Sequence, residues 1–578
     1  MNVKKTFSIA AVVASLALGA PAVESPVLDG RATAPERITA ANAAVAGETR
    51  VWRGRAWRNE RVHATFVVRG APGTELHLGA SALKSADGGT IVPIATRQVL
   101  ESLADDWLMG QKKDFAALKS HPVGEALDDA LPVTLNDRGF RAVWVTIKVP
   151  AETRPGLYRG EFKVAVKTKD GGAIAGNALT FPIELEVLPA TLPAKKKMYL
   201  DIWQTPWAVA RYYGVEPFSE AHFKYLEPIY RELADAGQRT ITLTMTDYAW
   251  NIRKHIDTAR SMIEYVKGSD GQFRADFTLL DRYVEFCERC GLGPDLHFYA
   301  LARFENQTSY WYWNERNWTY NHIDCKAGSP EFESYWTPLL KQLEAHAKAK
   351  GWEGRVYVAL DELKRDDVKA CSELLAKCAP SFKFQMSGNR NPSMFEGIRI
   401  DNYSQELRNP SYVDERFRAT LAERKAKGII TTAYVCCNPP RPNCLVRSPL
   451  HEQRWLGLYL YALGVDGFLK STSHRWMNHV DPLVDTNCRP HFPCGDSFLL
   501  YPGARSSVRW ESLRDGWEDY EKLACLEARG AFTPELKAAL SNIDFERFLS
   551  GDDAQAQRDV EAVERAIDGC LKNCHHGK

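Results

Sequence analysis

The chain has 578 residues, with 74 basic and 73 acidic side chains, a net charge of +1, 45% hydrophobic and 25% charged residues. That length predicts two or three domains, with enough apolar residues for large cores. A near-neutral charge without a long basic block excludes a nucleic-acid footprint and electrostatic attachment to an anionic membrane.

Taken in chain order, Lys4 and Lys5 precede an apolar run over 7–18, and Ala20-Pro21-Ala22 follows it. This is the pattern of an export signal, and it predicts removal of 1–22, a mature chain from near Val23 and a periplasmic or secreted protein. The run is too short to span a bilayer and no later segment reaches ~18 consecutive apolar residues, so no integral membrane segment is expected after signal removal. Residues 23–192 read as an all-β sandwich, with strands over 62–68, 142–149, 158–166 and 181–188 separated by Gly/Pro turns. The stretch 111–130 reads as irregular or partly helical, and the Pro-marked, then basic stretch 188–196 as a linker.

From 197 to 530 strands and helices alternate. Strands are predicted at 198–202, 240–246, 295–300, 356–360, 382–386, 398–402, 429–435 and 465–469. Ser219 caps a predicted helix that Gly237 closes, and further helices follow the strands, ending with one over 513–529. Eight strands in about 270 residues have the size of a (β/α)8 barrel. The predicted fold is therefore α/β: a TIM-like barrel preceded by a β-sandwich and followed by a charged helical tail, 531–578. The 13 cysteines all lie between Cys287 and Cys574, and the odd number leaves at least one thiol unpaired. Cys287-x-x-Cys290 sits in a helical pattern and Cys570-x3-Cys574-His575-His576 in the terminal tail. Both read as packing or tail residues, and no metal or other cofactor is expected.

Barrels of this kind do their chemistry just past the C-terminal strand ends. Asp361-Glu362 stands there, directly after the apolar run Val356-Tyr357-Val358-Ala359-Leu360. Two acids at a strand end can divide a task, one moving a proton and the other orienting a substrate group. The same acid order recurs at Asp414-Glu415, but that copy opens a predicted helix, where acids favour the positive helix end. Other strand-end positions hold Trp203, Asp247, Tyr248, Trp250, Arg303, Ser387, Asn389, Tyr403, Tyr434, Cys436 and Lys470, with Asn402 ending the predicted sixth strand. No Ser-His-Asp order, Gly-rich phosphate loop or His pair at zinc spacing occurs. Aromatic faces stack on sugar C–H faces, and acids with amides bind hydroxyls, so a glycan is the natural partner. The long connection after the third strand adds Tyr310, Trp311, Tyr312, Trp313, Trp318 and Tyr320, either a sugar platform or a cluster that clips the loop down.

Four segments carry a resemblance. Val356 to Glu362 resembles the catalytic strand of glycoside hydrolase family 123 and its related uncharacterised domains. Arg509-Trp510-Glu511-Ser512-Leu513-Arg514-Asp515-Gly516-Trp517-Glu518-Asp519-Tyr520 is similar to that group's closing motif. Leu463-Gly464-Val465-Asp466-Gly467-Phe468-Leu469 resembles its eighth strand, and Pro155-Gly156-Leu157-Tyr158-Arg159-Gly160 a turn of its N-terminal sandwich. The resemblance implies a retaining β-N-acetylgalactosaminidase that uses the substrate's own acetamido oxygen as nucleophile, through an oxazolinium intermediate. It implies that Glu362 is general acid and then base, and that Asp361 orients the acetamido group. On strand-end position, Tyr403 or Tyr434 is a candidate donor to the acetamido carbonyl and Trp203 or Trp250 a pocket wall. Asp247 and Asn402 either bind hydroxyls or cap loops. Two departures bear on the sugar accepted: Leu363 after the acidic pair, and Lys470-Ser471-Thr472-Ser473 where many relatives carry an aromatic residue. A same-fold glycosidase for a sugar without an acetamido group, and a catalytically silent glycan-binding protein, remain as alternatives.

Overall fold

The computed structural model describes residues 28–573, apart from 34, 44–48, 112–113, 116, 168–177, 251–258, 300, 304–308 and 478–479. The proposed export signal and the Cys574-His575-His576 end lie outside the described residues.

The N-terminal part is two packed sheets. One has the hydrogen-bonded order Asp29–Thr33, Arg61–Arg69, Phe140–Lys148, Ala95–Ala104, His121–Asp128. The other is built on Trp52–Arg58, Leu179–Thr191, Gly156–Val166 and Glu75–Ala80. Between them Phe66 stacks on Phe162 at 4.5 Å and lies 5.1 Å from Phe181. Strand Arg61–Arg69 alternates poorly in sequence because both of its faces are covered. Ala64, Phe66 and Val68 fill the inter-sheet core, whereas Val67 joins Trp144, Leu450 and Val508 against the next domain. The stretch expected to be irregular, 111–130, contains the strand His121–Asp128, and Leu179–Thr191 runs into the segment read as a linker.

The second part is a nearly closed eight-stranded parallel barrel. Its strands are β1 (Tyr199–Ile202), β2 (Thr240–Thr244), β3 (Asp295–Tyr299), β4 (Val356–Asp361), β5 (Lys383–Gly388), β6 (Asn402–Glu406), β7 (Ile430–Tyr434) and β8 (Gly467–Lys470). The ladder runs β1-β8-β7-β6-β5-β4-β3-β2. Between β1 and β2 the backbone contributes a single bridge, Leu200 to Gln238. Side-chain amides complete that seam. Gln238 Oε1 accepts from Ile202 N at 3.0 Å while its Nε2 donates to Ile202 O at 3.1 Å. Gln204 Oε1 accepts from Thr242 N at 2.8 Å. A primary amide carries the same donor and acceptor as a peptide unit, so it substitutes for the missing ladder.

Helices follow the strands except after β5, where the connection holds only the 3-10 turn Pro392–Phe395. Ser219 caps helix Glu220–Ala236 by accepting from His222 N, and Gly237 ends it at φ 97°, as the sequence predicts. Asp414 caps Glu415–Ala426 by accepting from Phe417 N at 2.9 Å, which disposes of the second Asp-Glu pair as structural. The connections after β2 and β3 pool their strands into one small sheet, ordered Phe273–Asp276, Glu264–Lys267, Ser309–Asn314, Thr319–Asp324. Helices Pro534–Ser541, Phe545–Ser550 and Asp553–Asn573 form the tail.

Helix Val508–Ala528 joins the two domains. Arg509 is fully buried and donates to Glu125 at 2.5 Å and to the carbonyls of Cys444, Gly495 and Phe498 at 2.8–3.0 Å. Glu511, also fully buried, pairs with Arg61 at 3.1 Å and Arg97 at 2.9 Å and accepts from Ser506 at 2.7 Å. Trp510 and Arg514 both bond Glu232, and Asp519 holds Arg454 and Lys522. A Cβ on Gly457 would stand 2.2 Å from Gly516 O, so glycine lets this helix and Leu450–Leu463 touch backbone to backbone. The closing motif is thus a domain fastener. Among the described residues no helix is long and apolar enough to cross a membrane.

Candidate active site

In a strand, neighbouring side chains point to opposite faces. Asp361 ends β4, and Glu362 follows it in the left-handed conformation, φ 49°. That conformation costs a non-glycine residue roughly 1–2 kcal/mol. It breaks the alternation and lets both acids serve the same opening. Glu362 N donates to Ser387 O at 2.8 Å, so the turn is fastened to the end of β5.

Two donors hold the Glu362 carboxylate. Tyr434 OH, at the end of β7, donates to Oε1 at 2.6 Å, and Asn389 Nδ2, just past β5, donates to Oε2 at 3.0 Å. Burial and the neighbouring Glu362 charge push the Asp361 carboxyl well above the usual range, with Arg475 opposing and Glu406 adding to the rise. Arg475 comes from the segment after β8, is 3% exposed, and lies over the Trp250 ring at 5.9 Å. Trp203 and Trp250 are buried and pack together at 5.3 Å, and Tyr299 meets them at 4.9 and 5.1 Å. These rings form one buried aromatic cluster beside the mouth.

A third acid belongs to this mouth and was missed in the sequence. Glu406 ends β6, directly opposite Tyr434 in the ladder, and is fully buried. Its Oε1 accepts from Arg408 Nε at 3.0 Å, whereas its Oε2 has no hydrogen-bond partner among the described residues. Burial, then the Glu362 charge, raise its carboxyl to about 7 against the pull of Arg408. The segment Asn402–Glu406, Asn-Tyr-Ser-Gln-Glu, lacks the apolar run that marks a strand, so the expected boundary fell four residues early. The usable signal was a period-two polar face, Asn402, Ser404, Glu406, beside Gln385 and Ser387.

That shift corrects two expectations. Asn402 starts β6, so it stands at the end of the strand remote from the mouth and does not meet the acids. Tyr403 packs with Phe395 and Arg424 of the helical layer, and its OH donates to Arg390 O at 2.5 Å. It therefore steadies the loop that carries Asn389 instead of facing substrate. Asp247 is engaged as well, accepting from Arg260 Nη1 and Ser261 N at 2.8 Å each. It lines a separate cavity of about 940 Å³ with Tyr248, Arg303, Trp311 and Tyr320, whose described lining residues include neither Asp361 nor Glu362. Of the aromatic series after β3, Tyr310 and Tyr312 are core residues, Trp311 and Tyr320 face that cavity, and Trp318 is exposed. Lys470 is buried and paired to Asp496 at 2.5 Å, so its charge is neutralised within the protein. Cys287 and Cys290 are buried core residues of helix Thr278–Cys290. Among the described residues no group of three or more His, Cys, Asp or Glu is placed to hold a metal ion.

Comparisons with known proteins meet this geometry. The glycoside hydrolase 123 catalytic domain matches residues 203–526, and the glycoside hydrolase 123 N-terminal domain matches 39–166. A family 123 glycoside hydrolase from Clostridium perfringens, described for glycolipid glycan hydrolysis, superposes with a TM-score of 0.83 at 20% identity, covering 95% of this chain and 99% of that one. At that identity the likeness shows the fold. A β-galacturonidase from Eisenbergiella tayi (TM-score 0.30, 11% identity, 79% and 69% covered) and a maltogenic α-amylase from Thermotoga neapolitana (0.30, 12%, 57% and 78%) are too distant to carry an argument. No curated protein matches the chain.

Proposed function

Because the chain belongs to glycoside hydrolase family 123, we propose that it is a retaining hydrolase of terminal β-linked N-acetylgalactosamine, or another N-acetylhexosamine, working through an oxazolinium intermediate. The observation that carries this reading is the pair itself, two adjacent acids at the C-terminal end of β4 with Glu362 in a left-handed turn. Glu362 protonates the glycosidic oxygen as the acetamido carbonyl oxygen of the same sugar attacks C1, and the aglycone leaves as an alcohol. Asp361 accepts from the acetamido N–H and faces the positive charge that develops on the ring. Glu362, now a carboxylate, takes a proton from water as that water opens the oxazolinium at C1, so two inversions give retention.

The electrostatics support this division. Tyr434 and Asn389 fix the Glu362 carboxylate in place, while burial and the neighbouring Glu362 charge push Asp361 toward its protonated form. The acetamido N–H donates to Asp361, and Glu362 carries the proton that passes to the leaving oxygen. A carboxylate aimed at charge that exists only in the transition state is the arrangement that accelerates the chemical step. Trp203, Trp250 and Tyr299 supply the apolar wall for the sugar face. Glycolipid glycans, which the Clostridium perfringens relative hydrolyses, are the first natural substrates to try. Export of the chain belongs to the same proposal and is read by N-terminal sequencing of the secreted or periplasmic fraction.

The test uses chromogenic β-N-acetylgalactosaminide, its N-trifluoroacetyl analogue and plain β-galactoside. The fluorines withdraw electrons from the attacking oxygen, so the analogue is cleaved more slowly and the galactoside is left intact. Cleavage of the galactoside alone would overturn the substrate-assisted mechanism. Binding of the acetamido sugar with no turnover by the intact chain would make it a glycan-binding protein instead.

A further inference from the structure

The proposed reaction uses two acids, but the barrel mouth holds a third that is closed off from solvent. Glu406 is fully buried, its Oε2 makes no hydrogen bond among the described residues, and it faces Tyr434 across one rung of the ladder. Tyr434 OH is in turn the 2.6 Å donor to Glu362. Burying a carboxylate with one oxygen unpaired is costly, and an apolar residue of similar volume would cost less. A purely structural account has Glu406 anchoring the turn after β6 through Arg408. That account explains one oxygen and leaves the other without a role.

Building on the proposed function, we infer that Glu406 is a positioning residue, a buried carboxyl behind Tyr434 whose negative charge, once formed, keeps a proton on the Asp361–Glu362 pair. Three carboxyls in one partly dry mouth cannot all ionise cheaply, so the charge on one keeps the proton on its neighbours. The groups facing this cluster are few. Asp361 and Glu362 come from β4, Arg408 from just beyond β6, Tyr434 and Cys436 from β7 and its loop, and Arg475 from beyond β8. Arg408 is 42% exposed on its side chain and so partly screened, and Lys470 is neutralised by Asp496. That balance leaves the mouth acid-rich. Burial, and then this balance, raise the Asp361 and Glu406 carboxyls.

The test is the pH profile of kcat/KM for wild type, Glu406→Gln, Glu406→Asp and Arg408→Gln. Removing the buried charge lets the pair lose its proton earlier, so Glu406→Gln moves the alkaline limb down by about one pH unit, with KM at the optimum nearly unchanged. Glu406→Asp keeps the charge and keeps the limb where it is in wild type. Arg408→Gln, at a half-exposed position that tolerates change, leaves the charge unopposed and moves the limb upward. A uniform loss of rate in Glu406→Gln with the limb in place overturns the proposal, and so does an unmoved limb in Arg408→Gln should Glu406→Gln not fold. Where wild type cleaves no N-acetylhexosaminide, the functional reading fails by itself. The proposal is then read by difference infrared titration above about pH 6, where ordinary carboxyls have already ionised. Glu406→Gln is expected to lose the remaining protonated carboxyl band of the pair at lower pH, and an unmoved band overturns it.

Discussion

The barrel mouth and the domain junction are built from the same side chains and treat them in opposite ways. At the junction Glu511 and Asp519, both buried, have several cations in contact. Burial pushes Glu511 up, but Arg97, Arg61, His63 and Arg514 outweigh it and hold the carboxyl well below its usual range. Asp519 is likewise lowered by Arg454 and Lys522 against its burial. At the mouth, burial first and then the facing acids raise Asp361 and Glu406, with only Arg475 and Arg408 opposing. Burial alone therefore does not decide the sign. The number of cations in contact decides whether burial is outweighed: several reverse the sign at Glu511 and Asp519, whereas Lys522 alone leaves Glu60 raised to about 7.

The difference can be broken at several points. The largest effect is expected at Glu362→Gln, which should lower kcat about 10²–10⁴-fold while leaving the melting temperature at or above wild type; a large loss of Tm instead would move Glu362 to the structural side. Next comes Glu511→Ala. It strands Arg61 and Arg97 in a buried site and should cost roughly 3–5 kcal/mol of stability, read by chemical denaturation, with kcat of the folded fraction near wild type. A strongly reduced kcat there would mean that the junction takes part in the reaction.

A third effect is the pH dependence of stability, with opposite sign in the two regions. Glu511 and Asp519 have lowered folded values, so what they contribute is present above the ordinary carboxyl range, about pH 4, and is lost as pH falls through their folded values. Asp361 and Glu406 have raised folded values, so their contribution is full below that range and is lost as pH rises, through about 7 for Glu406. Glu406→Gln should accordingly raise Tm at pH 8 relative to wild type and leave it nearly unchanged at pH 5, by differential scanning calorimetry. An equal change at both pH values would deny that Glu406 titrates in this window. The smallest effect is at the second acidic pair. Asp414→Ala removes only a helix cap and should cost about 1 kcal/mol, with activity untouched.

Much of this was legible in the sequence, and the failures have physical causes. β4 shows as an apolar run ended by two acids, and the Ser219 and Asp414 caps follow from local chemistry. β6 hid because an inward-facing strand at a polar barrel mouth need not be hydrophobic. The small sheet after β2 and β3 hid because its strands come from two separate loops. The closing motif carried the family resemblance, but its role lies in pairs such as Arg509–Glu125, 384 residues apart, which no local pattern reveals. The turn at Glu362 has no sequence mark either, since only the fold around it makes a left-handed glutamate necessary.

The seam between β1 and β2 has a consequence for the site's adaptability. Trp203 follows β1 and Trp250 lies beyond β2, so the two halves of the aromatic wall stand on opposite lips of the one joint in the barrel that is laced by glutamine side chains. The acids ride on β4 and β6, within the continuous ladder. Such a joint behaves like an adjustable jaw beside a fixed anvil. Opening or closing at the seam would change the spacing of Trp203 and Trp250 while leaving Asp361, Glu362 and Glu406 fixed against one another in the continuous ladder.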